Sequence, residues 1–168
     1  MKNVIKKTLI LIVIAFIIYN LVWFVNYKRY IDFSNLTGKD EFGNSLFIDD
    51  EKISYSVGFP HYLGFTGNLA ICSLRNDKLQ NGDVMVDIII WPLPFSDKCE
   101  IGISLEVIED TTLDETGFNY TTDCIEIMVD KDLNPLEEYT DDQIALLEEN
   151  RDTIVKYLDK ADGLWEIF

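Results

Sequence analysis

"VMVDIIIWPLPF", Val84–Phe95, decides the fold, because it reads either as a second membrane-crossing segment or as a strand of a folded domain. With Asp87 inside and Pro92 and Pro94 near its end, it is too short and too interrupted to cross a bilayer, which takes about 20 apolar residues of helix. At a period of two, Val84, Val86, Ile88 and Ile90 fall on one side and Met85, Asp87 and Ile89 on the other, the pattern of a half-buried strand. The prolines lack the amide hydrogens a ladder needs, so the strand ends there or lies at an edge.

Four more runs alternate in the same way. "KISYSVGF" (Lys52–Phe59) puts Ile53, Tyr55 and Val57 on one side, and "NLAICSL" (Asn68–Leu74) is short and mostly apolar. "IGISLEVIE" (Ile101–Glu109) separates Ile101, Ile103, Leu105 and Val107 from Gly102, Ser104, Glu106 and Ile108, and "TDCIEIMV" (Thr122–Val129) aligns Ile125, Ile127 and Val129. Asn81-Gly82 suits the positive φ angles of a tight turn. About five strands in an antiparallel meander are expected.

The last element reads as one helix. Thr140 to Gln143 ("TDDQ") has the form of a capping box, and Ile144, Leu147, Ile154, Leu158 and Ala161 make one apolar stripe that Gly163 is expected to end. Arg151 interrupts the stripe with a stem that lies along apolar surface. The terminal "LWEIF" is too apolar to hang free and is expected to pack on the domain. The fold class is therefore α+β, a mainly antiparallel sheet packed on a C-terminal helix.

Ahead of this domain, Leu9–Val25 ("LILIVIAFIIYNLVWFV") carries no charge, and thirteen of its seventeen residues are Leu, Ile, Val or Phe. Such a helix reaches about 26 Å, near the lower limit for the roughly 30 Å hydrocarbon core, and the thirteen side chains favour insertion by on the order of 5 kcal/mol. A cleaved secretory signal has a shorter apolar stretch, about 7 to 15 residues, ending at small side chains. Here no small residue follows the run before Ser34. An uncleaved anchor is the reading, with residues 1–7 cytoplasmic, 8–27 the transmembrane helix, 28–52 a linker and 53–168 an extracytoplasmic domain. Lys2, Lys6, Lys7 and the terminal amine outnumber Lys28 and Arg29, which places the N-terminus inside, and Trp23, Tyr27 and Tyr30 are expected at the membrane interface.

All thirty acidic residues lie at or beyond Asp32, where only nine of the fourteen Lys and Arg are found, a net charge of −21. Such a domain repels nucleic acid and anionic headgroups; solubility is the first reading of its charge, with a cationic partner or bound metal ions as the others. Cys72, Cys99 and Cys124 are an odd number at spacings that fit no zinc pattern, and read as small core fillers.

"GFPHYLGFTGNL" (Gly58–Leu69) holds the single histidine, and Phe59, His61, Tyr62 and Phe65 flank Pro60, Gly64 and Gly67. It reads as a compact loop covering one end of the sheet, with those four residues as the candidate recognition surface. Asp130, Asp132 and Asn134 start like a calcium loop, but Pro135 stands where a glycine is required, so a turn is expected. The acidic groups Asp49-Asp50-Glu51 and Glu109-Asp110 with Asp114-Glu115 read as solvated charge, and a His61–Cys72 pair lacks an orienting third group. No cofactor, metal site or catalysis is expected. The favoured function is a membrane-held binding or accessory domain, with an immunity or inhibitor protein masking a basic toxin or enzyme as the alternative. A carboxylate hydrolase is disfavoured for want of a nucleophile.

Overall fold

Period-two alternation buries alternate residues along the middle of the expected strands, as with Ile53, Tyr55 and Val57 in Ile53–Gly58. It breaks at two strand ends, where Met85 and Ile108 are buried and their neighbours Val84 and Val107, expected inward, are only half-buried. In this computed structural model, which describes residues 2–74, 79–96, 98–110, 113–114, 117–118 and 121–168, the order is α1 (Lys2–Thr37), β1 (Leu46–Ile48), β2 (Ile53–Gly58), β3 (Asn68–Ser73), β4 (Val84–Pro92), β5 (Cys99–Asp110), β6 (Leu113–Asp114), β7 (Gly117–Phe118), β8 (Thr121–Val129), α2 (Asp141–Glu149) and α3 (Arg151–Trp165). One antiparallel six-stranded sheet runs β1-β2-β3-β4-β5-β8, and β6 pairs with β7 in a separate ribbon. Pro92 ends β4 opposite Cys99, as the missing amide requires, although β4 is a central strand. Gly82 before β4 has φ +90°.

The helices cover one face of the sheet. Tyr30 and Phe33 of α1, Leu147 of α2, and Ile154, Leu158, Ala161 and Trp165 of α3 bury against the inward residues of β2–β5 and β8, such as Ile71, Ile88, Ile103 and Ile127. Each such side chain contributes about 1.5–3 kcal/mol of transfer free energy.

Two expectations give way at the ends of the chain. Residues 28–52, expected as a linker, hold the last turns of α1 and the edge strand β1. Asn26, Tyr30, Phe33, Ser34 and Thr37 recur at helical spacing and are buried, and the Ser34 and Ser45 hydroxyls bond to each other, tying α1 to the start of β1. The single C-terminal helix is two: Asn150 donates its side-chain amide to the Leu146 carbonyl at 2.9 Å, and its own backbone leaves the helical region between α2 and α3. The capping box at Thr140 and Gln143 forms as expected. Gly163 does not stop α3, which continues to Trp165 and ends at Glu166 with φ 52°. The Asp162 carboxylate then accepts from the amides of Ile167 and Phe168, which folds the tail back, so Trp165 and Ile167 are buried while Phe168 stays about half exposed.

Asp49 joins the β1–β2 turn to α3. Its carboxylate accepts from the Glu51 and Ile53 amides, from the Tyr55 hydroxyl at 2.9 Å and from the Lys160 ammonium at 2.7 Å. Burial works against the charge, but Lys160, the Ile53 amide and Tyr55 outweigh it and hold the Asp49 carboxyl at about 2. A depressed carboxyl stabilises the fold fully above the ordinary aspartate range near 4, and this contribution is lost as pH falls towards 2. Unfolding free energies from urea titrations down that range are expected to fall by about 1–2 kcal/mol more in the wild-type chain than in Asp49→Asn, allowing for solvent screening of the pair. Parallel pH profiles would show that Lys160 and Asp49 do not interact in solution.

Candidate functional site

The Gly58–Leu69 segment connects β2 to β3 and is bound to α1 along two turns of that helix. Trp23 donates its indole N–H to the His61 carbonyl at 3.1 Å, the Tyr19 hydroxyl donates to the Tyr62 carbonyl, and the Asn26 amide donates to the Phe65 carbonyl. Asn20, the polar residue of the apolar run, gives its amide to the Phe16 carbonyl and accepts from the Tyr62 hydroxyl at 2.8 Å. Rings close the contact: Tyr62 meets Tyr19 edge-on and tilts against Trp23, Phe65 meets Tyr19, and Phe59 meets Tyr27, all with centroids within 5.5 Å.

Of the three residues expected at a membrane interface, Tyr30 is elsewhere. It is 0 % exposed, its hydroxyl accepts from the Gly67 amide at 3.0 Å and donates to the Pro92 carbonyl, and burial raises its pKa. A residue at that point of α1 faces the sheet because the helix has already joined the domain. Trp23 and Tyr27 stack on each other at 4.7 Å and are partly covered by the loop. Phe59 and Phe65 are half-buried, whereas the His61 and Tyr62 side chains are exposed.

The opposite face of the sheet carries a second arrangement, which sequence reading left out because it spreads across three strands. Ile89 and Trp91 of β4, Gly102 of β5 and Met128 of β8 are register neighbours and form an apolar shelf. A Cβ on Gly102 would stand 2.9 Å from the Trp91 ring, so the absence of a side chain lets the indole lie across β5. Around the shelf, the outward positions of β4, β5 and β8 carry Asp87, Glu100, Glu106 and Glu126, and none of the outward positions of β2–β5 or β8 is Lys or Arg. Asp87 and Glu126 stand opposite Ser104 from either side. At the loop end, Gly58, Phe59, His61, Asn68, Trp91 and Glu100 border a depression of about 600 Å³. Phe59 and His61 therefore belong to this rim, while Tyr62 and Phe65 turn to α1.

The negative field of this face registers on Cys72, whose thiol is pushed up to about 12 by burial and by the charges of Asp87 and Glu106. It stays protonated and is a poor nucleophile. Burial also raises Cys99, and Cys72, Cys99 and Cys124 are all free thiols. Asp130 closes its own turn by accepting from the Asp132 and Asn134 amides, which accounts for the calcium-like spacing. The side chains of Glu109, Asp110, Asp114 and Glu115 lie outside the described residues. Among the described residues no group of three or more His, Cys, Asp or Glu is placed to hold a metal ion. The chain matches no protein-family model, no curated protein and no solved structure at a significant level.

Proposed function

We propose that this is a single-pass membrane-anchored binding or accessory protein, with its N-terminus cytoplasmic and its acidic domain outside. The observation that carries this reading is the free half of α1: an 18-residue window of mean hydropathy 2.6 with none of it buried, a surface that water does not tolerate. The orientation rests on charge. Arg29 gives its guanidinium to the carbonyls of Leu93 and Ser96 and lies 5.5 Å over the Phe33 ring, so Lys28 is the cation left facing outward after the run, against three lysines and an amine before it.

The partner is a cationic protein, taken on the outward sheet face. An apolar shelf with an indole at its centre and carboxylates around it supplies buried area for an aliphatic stem, a ring face for an ammonium or guanidinium, and charge for steering. Accessory and immunity readings share this face and differ in the partner. Crosslinking the full chain in intact membranes and identifying adducts by mass separates them. One stoichiometric basic protein supports masking, and several envelope proteins support an accessory role. Either partner set is expected to be lost as salt shortens the screening length to about 3 Å near 1 M, and to fall about tenfold or more in a Glu100→Lys, Glu126→Lys double variant. Recovery of the intact chain in the soluble cytosol, or crosslinks indifferent to both changes, would overturn the proposal.

A further inference from the structure

We infer that the β2–β3 loop, with Leu63 at its tip and Phe95 of the β4–β5 turn beside it, is a second membrane contact that seats in the headgroup layer of the bilayer. This rests on the reading of α1 as a membrane span. The apolar run Leu9–Val25 is about 26 Å long, and the loop is bonded to Tyr19, Asn20, Trp23 and Asn26. The last 10 Å or so of the run therefore lie level with the loop, and Leu21, Phe24 and Val25 are exposed on the faces the loop does not cover. Lifting the loop clear of the lipid would leave Leu9–Ile18, about 15 Å of helix, to serve a hydrocarbon core of about 30 Å. Sinking the loop keeps the whole run in lipid.

The loop's chemistry fits that depth. Leu63 is 87 % exposed and Phe95 64 % exposed, and the Phe65 and Phe95 rings lie 6.5 Å apart, which makes the two tips one patch. No Asp or Glu occurs from Lys52 to Asn76 in a chain that holds thirty. Five of the loop's backbone polar groups, the usual bar to a loop near hydrocarbon, are bonded within the protein, which suits the headgroup layer and not the hydrocarbon core: the carbonyls of His61, Tyr62 and Phe65 by α1 side chains, the Gly64 amide by His61, and the Gly67 amide by Tyr30. Trp23, Tyr27 and Tyr62 lie at the same level, where amphipathic rings are favoured. The acidic turn Asp130–Asp132 opens at this end of the sheet too, but β8 is four strands from β2, about 19 Å, so the domain leans with its β2 side down.

The test reconstitutes the full chain in phosphatidylcholine vesicles with a photoreactive benzoylphenylalanine at one of four exposed positions, 63, 95, 24 or 42, and reads lipid adducts by mass. Phe42 follows the far end of α1, about 27 Å along the helix from Tyr19, and serves as the dry control. Adduct yields at Leu63 and Phe95 within about threefold of that at Phe24, and about tenfold above that at Phe42, are expected for interfacial depth. Adducts at Phe24 with none at Leu63 or none at Phe95 overturn the seating and leave the span standing. No adduct at Phe24 removes the span, and the seating with it. Should the bulky probe lower the urea midpoint, Leu63→Trp in a Trp23→Phe background with brominated lipid chains asks the same question against Trp23→Phe alone, added quenching supporting the contact and its absence overturning it.

Discussion

A chain lacking residues 1–37 is expected to have no stable fold, whereas one lacking residues 1–18 keeps it. The shorter cut removes side chains that are exposed from Val4 to Ile18, and leaves Tyr19, Trp23 and Asn26 on the loop. The longer cut strips Tyr30 and Phe33 from the core and takes Thr37 from Trp165, whose buried indole N–H donates to it at 2.8 Å. Two buried aromatics at about 1.5–3 kcal/mol each, with an orphaned donor at about 1–3, sum to about 4–9 kcal/mol against a total stability of about 5–15. Urea titrations in the same mild detergent, followed by circular dichroism, measure the difference. Equal midpoints would show that the second half of α1 adds nothing to the core.

Gly67→Ala is the second large effect, a loss of about 3 kcal/mol, the upper end for overpacking. An ideal Cβ there would stand 2.2 Å from the Gly58 carbonyl oxygen, 2.6 Å from a Tyr30 ring carbon and 3.0 Å from Pro60. The first of these is backbone at the end of β2, so relief requires opening the loop or pushing Tyr30 out of a site where it is fully buried. Gly64→Ala is the control: its nearest neighbour would be 3.7 Å away, ordinary contact, and its unfolding free energy from urea titration should stay within about 0.5 kcal/mol of wild type. Matching losses for the two variants would mean the loop moves independently of α1.

What could be read from the residues alone divides by range. The five alternating runs, the capping box and the stripe Ile144, Leu147, Ile154, Leu158 and Ala161 depend on neighbours within a few positions; the strands and the box appear where the pattern places them, and the stripe is buried except at Ile144, which is only half-buried. β1 stayed hidden because Leu46–Ile48 is three exposed residues with no alternation to detect. The end of α1 looked like a linker because its inward stripe mixes Asn26, Ser34 and Thr37 with Tyr30 and Phe33, and polar residues do not announce a buried face. Tyr30 was misplaced for a related reason: after an apolar run an aromatic residue suggests an interface, and its partner Gly67 is 37 positions away. The β2–β3 loop was legible as compact and ring-rich, but Tyr62, Phe65 and Phe59 meet rings of α1 where a cap on the sheet was expected, and nothing local says that the loop grips Tyr19 and Trp23. The acidic shelf needs the β4-β5-β8 register, which no single stretch contains.

Because α1 shares a core with β2 and α3, the chain has no swivel between its greasy stem and its globular head. A tethered head on a floppy leash sweeps a hemisphere and meets partners at any angle. This one turns only when its stem turns, so the height and compass bearing of the carboxylate-ringed indole are set by how the stem leans in its surroundings.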